Sequence, residues 1–163
     1  MEHILHPFGP VFDEHSRVLV LGTLPSPKSR EQGFYYGHPR NRFWSVLAEI
    51  FGEETPKTPA ERRAFALRHG IALWDVLSEC DIEGAADSSI RNPVPSDIPA
   101  LLKKAPVAAV FTTGATATRL YKKFIEPKTG LAPIPLPSTS PANARLGLSA
   151  LASEYRKILE YTE

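Results

Sequence analysis

Four short, almost uninterrupted apolar runs limit what this chain can fold into: Val18 to Leu21, Ile71 to Leu73, Val107 to Phe111 and, more weakly, Ile134 to Leu136. None alternates apolar with polar residues, so none reads as a strand with one wet face. Such strands are buried on both sides, as in a parallel sheet covered by helices. Helical patterns stand between them. Phe43, Val46, Leu47, Ile50 and Phe51 share one helical face, and Gly52 supplies a stop. Thr58-Pro59-Ala60-Glu61 is a capping box with proline at the first helical position, opening a helix to His69-Gly70. Ser96 can cap a short helix through Lys104. Ala117, Leu120, Tyr121 and Phe124 mark a further face, and Leu148, Leu151, Ala152, Tyr155, Ile158 and Leu159 a last one. The alternation predicts an α/β fold, a three-layer α/β/α sandwich around a short, mainly parallel four-stranded sheet.

At 163 residues the chain can bury one sizeable core, and residues 1–163 are expected to form a single domain. With 42% hydrophobic and 23% charged residues it is not a disordered chain. Every apolar stretch is broken by Pro, Gly or charge within about ten residues, too short to span a membrane. Met1-Glu2-His3-Ile4-Leu5-His6-Pro7 lacks the charged-then-apolar order of a signal peptide, and a cytoplasmic, monomeric protein is expected. The single Cys80 rules out internal disulfides and cysteine-ligated zinc or iron–sulfur sites. The net charge of +1 decides nothing about nucleic acid, although Lys28, Arg30, Arg40 and Arg42 are concentrated in one region. Lys103, Lys104, Lys122 and Lys123 read as solvated helix faces.

Each predicted strand runs into a distinctive segment: Gly22-Thr23-Leu24-Pro25-Ser26, Trp74-Asp75, Thr112-Thr113-Gly114 and Pro137-Ser138-Thr139-Ser140-Pro141. In a parallel sheet these four segments open on one edge, where such folds bind ligands. After the first comes Gly33-Phe34-Tyr35-Tyr36-Gly37-His38-Pro39-Arg40-Asn41-Arg42-Phe43-Trp44. Aromatics that stack on a flat ring, glycines that admit close backbone approach and arginines for phosphates describe a pocket for a nucleobase on a strand.

Plainer roles stand beside these. Gly22 to Ser26 could be a routine strand exit, since it lacks the glycines and lysine of a phosphate-binding loop. Ser138 to Ser140 could be a surface turn, although a rigid hydroxyl-rich loop can equally hold a phosphate. Asn41 stands where the Phe43–Phe51 helix begins, and on local grounds capping is its commoner role. His38 is most often a satisfied structural histidine in such a setting. No second ligand stands at helical spacing from it, so no metal is expected. Asp75 could be a general base or a helix cap.

Together these motifs resemble the uracil-DNA glycosylase superfamily, most closely its hypoxanthine-DNA glycosylase branch, over nearly the whole chain. The mismatch-specific uracil branch carries a similar segment, G-F-P-F-A-H-P-x-N-R-F-W. Its first motif, G-I-N-P-G, holds an Asn that positions water, and here Leu24 stands at that position. Leu136 replaces the His or Asn that often begins the second motif, and the usual Leu wedge is missing near Ser140 and Pro141. The hypoxanthine branch also lacks the first-motif Asn and carries one in the aromatic segment, here Asn41.

The resemblance implies a monofunctional DNA glycosylase acting on damaged double- or single-stranded DNA, with no cofactor and no lysine placed for a Schiff base. Hypoxanthine is the expected base and uracil the second candidate. A non-catalytic nucleic-acid-binding domain is the alternative from another class. Asn41 would be catalytic, holding either the water or the base edge. Tyr36 would cover the base with Phe34 supporting it, while Gly22, Thr23, Leu24, Gly37 and His38 line its edge. Ser26, Ser88, Ser89, Ser138 and Ser140 would grip phosphates, and Asp75, Asn143 and Arg42 are further candidates.

Overall fold

The computed structural model describes residues 1–162. In chain order it runs β1 (Glu2–Leu5), β2 (Val18–Gly22), α1 (Pro27–Gln32), α2 (Phe43–Phe51), α3 (Pro59–Arg68), β3 (Ile71–Asp75), β4 (Leu77–Glu83) and β5 (Ala86–Pro95). There follow α4 (Ile98–Leu102), β6 (Ala109–Thr113), α5 (Ala115–Phe124), α6 (Glu126–Thr129), β7 (Pro133–Leu136), α7 (Leu148–Tyr155), a 3₁₀ turn (Arg156–Ile158) and α8 (Leu159–Thr162).

The expected parallel sheet is present, in the order β3-β2-β6-β7, with every neighbouring pair parallel. Its central strand explains the unbroken apolar run. Val18 and Val20 face a core completed by α2, α3 and α7, while Leu19 and Leu21 face a second core completed by α4 and α5. All four are 0% exposed, so neither face of β2 could carry a polar residue at those positions. Helix α2 ends on Gly52 in the left-handed conformation, φ 66°, and α3 opens with the expected reciprocal capping box of Thr58 and Glu61. Trp44 anchors the first core, its indole N–H donating to the Tyr35 carbonyl at 3.1 Å.

Several boundaries differ from expectation: the strands reach Gly22, Asp75 and Thr113, and the Leu148–Leu159 face is divided between α7, the 3₁₀ turn and α8. Two have a plain local cause. The strand read from Val107 begins at Ala109, because the Val107 N–H turns back to the Ala105 carbonyl. Asp97, not Ser96, caps α4, accepting from Ala100 N–H at 3.2 Å, and the helix ends at Leu102. A cap at Ser96 would face Pro99, which has no N–H, at the third helical position.

A second, antiparallel sheet of order β1-β4-β5 was not legible. It packs Ile4, Leu77, Cys80 and Ile82 under the second core, beside α4 and α5. Register shifts along β4–β5 break the two-residue period, and β5 is a largely exposed edge strand ending on proline. No described helix is long and apolar enough to cross a membrane.

Candidate active site

The sheet order reverses at β2, whose neighbours β3 and β6 are reached in opposite directions along the sheet. The C-terminal ends of strands at such a point leave a crevice, and a cleft of ≈ 750 Å³ opens there. Gly22, Thr23, Leu24, Ser26, Tyr36, His38, Asn41, Asp75, Ser138, Ser140 and Asn143 all line it. Four segments separated in sequence therefore meet on one cavity.

Tyr36 holds a backbone angle, φ 55°, that bulky residues seldom adopt. That turn lays its ring on Phe43, centroids 3.7 Å apart and planes 13° from parallel. One face of Tyr36 is thus backed by the core, and the residue still lines the cleft. Its hydroxyl is buried and makes no hydrogen bond of ordinary geometry, although the Thr113 hydroxyl stands beside it. Burial, reinforced by the nearby Asp75 carboxylate, holds the phenol protonated far above its ordinary range.

The orientation of Asn41 is fixed from both sides. Its Oδ1 accepts the Phe43 N–H at 2.9 Å and the Thr139 hydroxyl at 2.8 Å. A backbone N–H can only donate, so the amide cannot be reversed. Nδ2 makes no hydrogen bond among the described residues and is left as a donor at the cleft. Thr139, buried between the two serines, carries no obvious signal of its own and was missed.

Arg42 does not serve the cleft as a free cation. Its guanidinium donates to the carbonyls of Ser140, Asn143 and Leu146, and its N–H to Thr139 O at 3.1 Å. It therefore clamps the loop from Pro137 to Leu146, which Tyr155 also holds by donating its hydroxyl to Pro137 O at 2.6 Å. Within that loop the oxygens of Ser138 and Ser140 accept from Ser140 N–H and Ala142 N–H, at 3.1 and 3.2 Å. Their hydroxyl hydrogens stay available to an acceptor. Asn143 donates its side-chain amide to Ser138 O at 2.9 Å and stiffens the turn.

Other predicted residues are placed differently. Phe34 is core, stacked toward Trp44, and does not line the cleft. Gly37 is buried, and its N–H donates to Ser29 Oγ at 2.9 Å, so it is not offered to a base edge. Ser26 caps α1 and donates to Ser29 Oγ. Ser88 and Ser89 lie on β5 away from the cleft lining, and the Ser89 hydroxyl is taken by Ala86 O and Glu83 N–H. His38 Nδ1 accepts from Arg40 N–H at 3.0 Å, which puts the proton of its neutral ring on Nε2.

At the back of the cleft Asp75 is paired with His6 Nε2 at 2.8 Å, with side chains only 5% and 6% exposed. It caps no helix. A Cβ built on Gly22 would stand 2.8 Å from Asp75 Oδ1 and 3.5 Å from both the Tyr36 and Thr113 hydroxyls. Glycine there is what lets these polar groups crowd the strand end.

The chain matches the Uracil DNA glycosylase superfamily over residues 10–161. It belongs to that superfamily. A "Hypoxanthine DNA glycosylase" of Methanosarcina acetivorans is 32% identical over 139 residues, 85% of this chain and 87% of that protein. One from Methanosarcina barkeri is 42% identical over 86 residues, a match spanning 52% of this chain and about half, 54%, of the relative. A solution NMR structure from Methanosarcina acetivorans, assigned as a candidate uracil DNA glycosylase, aligns with a TM-score of 0.78 and 29% identity. That alignment covers 93% of this chain and 96% of that one. Membership of the uracil DNA glycosylase superfamily places the protein among the DNA glycosylases, and the neighbour shares its parallel sheet.

Proposed function

We propose that this glycosylase releases hypoxanthine from deoxyinosine in DNA by taking the nucleotide out of the duplex and hydrolysing its N-glycosidic bond. The observation that carries the reading is the pinned amide of Asn41 beside the backed ring of Tyr36. The two relatives named for that activity support the choice of base.

The glycosidic bond is inaccessible in a stacked duplex, so the nucleotide must turn into the cleft. The base stacks on Tyr36, whose other face is supported by Phe43 and cannot yield. As the bond between C1′ and N9 breaks, its electron pair goes to the base and positive charge develops on the sugar. Asn41 Nδ2–H donates to the electron-rich edge of the departing base, and because Oδ1 is already bonded, no reorganisation is required when charge appears. Water adds to C1′, and its proton passes to the released base anion, giving neutral hypoxanthine and an abasic sugar. The hydroxyls of Ser138 and Ser140 donate to phosphate oxygens at the rim, on a loop that Arg42 keeps rigid. Leu24 brings no polar group to the first motif, so the catalytic amide comes from the aromatic segment alone.

Single-turnover incubation with duplexes carrying deoxyinosine, deoxyuridine or deoxyxanthosine tests this. Free hypoxanthine released fastest is the expected result. Uracil released faster would transfer the reading to the uracil branch, and no release from any lesion would leave only a binding domain.

A further inference from the structure

A second cavity lies beside the cleft, on the other side of the loop that Arg42 clamps. It is a groove of ≈ 980 Å³ between α5, β7 and the Pro137–Leu146 loop. Its walls include Pro135, Pro137 and Leu146, and four cations stand on it: Arg119, Lys122, Lys123 and Arg145. No acidic residue lines it. Among the described residues none of the four cations makes an ion pair within 4.0 Å. Asp87, on the β4–β5 hairpin, is a carboxyl that burial pushes above its ordinary range, with Thr116 and then Arg119 acting the other way. Lys123 lies 5.1 Å over the Phe124 ring. The groove is not a separate feature of the surface, because Ser138 and Asn143 line both it and the cleft.

We propose that this groove is the track for the DNA strand on one side of the displaced nucleotide. The inference rests on reading the cleft as a base-excision site. A nucleotide held there has its phosphodiester at the Ser138–Asn143 wall, and the strand that continues past that wall enters the groove. Solvated lysines on a helix normally project from a polar face. These share a groove with prolines and leucine, an apolar floor suited to sugars or an unstacked base with cations on its walls for phosphates. An acidic protein segment would also satisfy the charges, but only a polynucleotide accounts for the shared wall.

The test uses the full chain and the double variant Lys122→Gln/Arg145→Gln, both at exposed positions. Binding to a lesion duplex is followed by fluorescence anisotropy across a salt series. Each duplex phosphate contact contributes about 0.9 to the slope of log affinity against log salt, so losing two lowers it by about 1.8. The wild type weakens when the DNA is shortened on one side of the lesion, and the variant is insensitive to that truncation. Lys103→Gln/Lys104→Gln, on the α4 side, keeps the wild-type slope. An unchanged slope in the groove variant, or equal sensitivity to truncation at both ends, overturns the proposal. Base release by the wild type is measured in the same mixtures. Release with an unchanged slope sinks the groove alone, whereas no release from any lesion sinks the cleft reading and the groove with it.

Discussion

Asn41 does two things with two ends of one amide, and Asn41→Asp separates them. Aspartate keeps an oxygen for the Phe43 N–H and the Thr139 hydroxyl, the 2.9 and 2.8 Å bonds that fix the side chain. It is as good as asparagine at a helix start, so folding stability is expected to change by less than about 0.5 kcal/mol. The other end changes from a donor to an anionic acceptor. Losing a positioned donor costs roughly 10²–10³ in rate, about 2.7–4 kcal/mol of transition-state stabilisation. Repulsion of the departing base anion deepens that loss. Asn41→Ala is the counterpart, since it removes both accepted bonds and the donor together. At about 1 kcal/mol for each bond it should lose about 2 kcal/mol of stability, lowering the melting point by roughly 4–8 °C.

The assay pairs single-turnover base release with thermal unfolding on both variants. The expected pattern is two inactive proteins of which only the alanine variant is destabilised. An aspartate variant with near-normal release would remove the Nδ2 donor from the mechanism. Equal destabilisation of both variants would mean that the amide is not oriented by Phe43 and Thr139.

Tyr36→Phe should release base at close to the wild-type rate, because the lost hydroxyl makes no hydrogen bond of ordinary geometry, whereas Tyr36→Ala should weaken lesion binding by about 1–3 kcal/mol and leave undamaged duplex unaffected. A phenylalanine variant as impaired as the alanine one in titrations would show that the hydroxyl contacts the base. Gly22→Ala places a methyl 2.8 Å from Asp75 Oδ1 and should lose about 1–3 kcal/mol of stability, together with release; unchanged melting and rate would refute the crowding. His3 is held above its ordinary pKa of 6.5 by hydrogen bonds to Asp81 and then Glu79. A raised folded pKa stabilises fully below the ordinary value and is lost as pH rises through the folded one, so the melting-point deficit of His3→Gln should be present below pH 6.5 and shrink as the pH rises above it.

What could be read from the sequence followed from how strictly each position is constrained. β2 must be apolar on both faces because helices cover both, and that demand is visible in Val18 to Leu21 without any neighbour. The Thr58 box and Gly52 are local signals and needed no tertiary context. The second sheet has no such demand: Leu77, Cys80 and Ile82 are spaced by a bulge, and β1 buries Ile4 alone. In the site, residue types at strand ends could be placed on the cleft, but the direction of a hydrogen bond could not. Gly37 and Ser26 were expected to face a ligand, and Ser29 takes both. Arg42 was expected as a further candidate for the site, and three loop carbonyls take its guanidinium.

The sequence left capping and catalysis as competing roles for Asn41; Arg42, not Asn41, stands at the N-cap of α2, and Asn41, one residue earlier, holds the Phe43 N–H with its side chain. A side chain at a helix entrance that accepts the first free N–H cannot rotate, so its opposite end points where the helix start dictates. Phe43, which supplies that N–H, also supplies the ring beneath Tyr36. In the proposed reading, the ring that stacks the base and the amide that donates to it are therefore both referenced to one residue. The unusual φ of Tyr36 fits the same scheme: about 1–2 kcal/mol of backbone strain is sustained by packing that the ring itself provides.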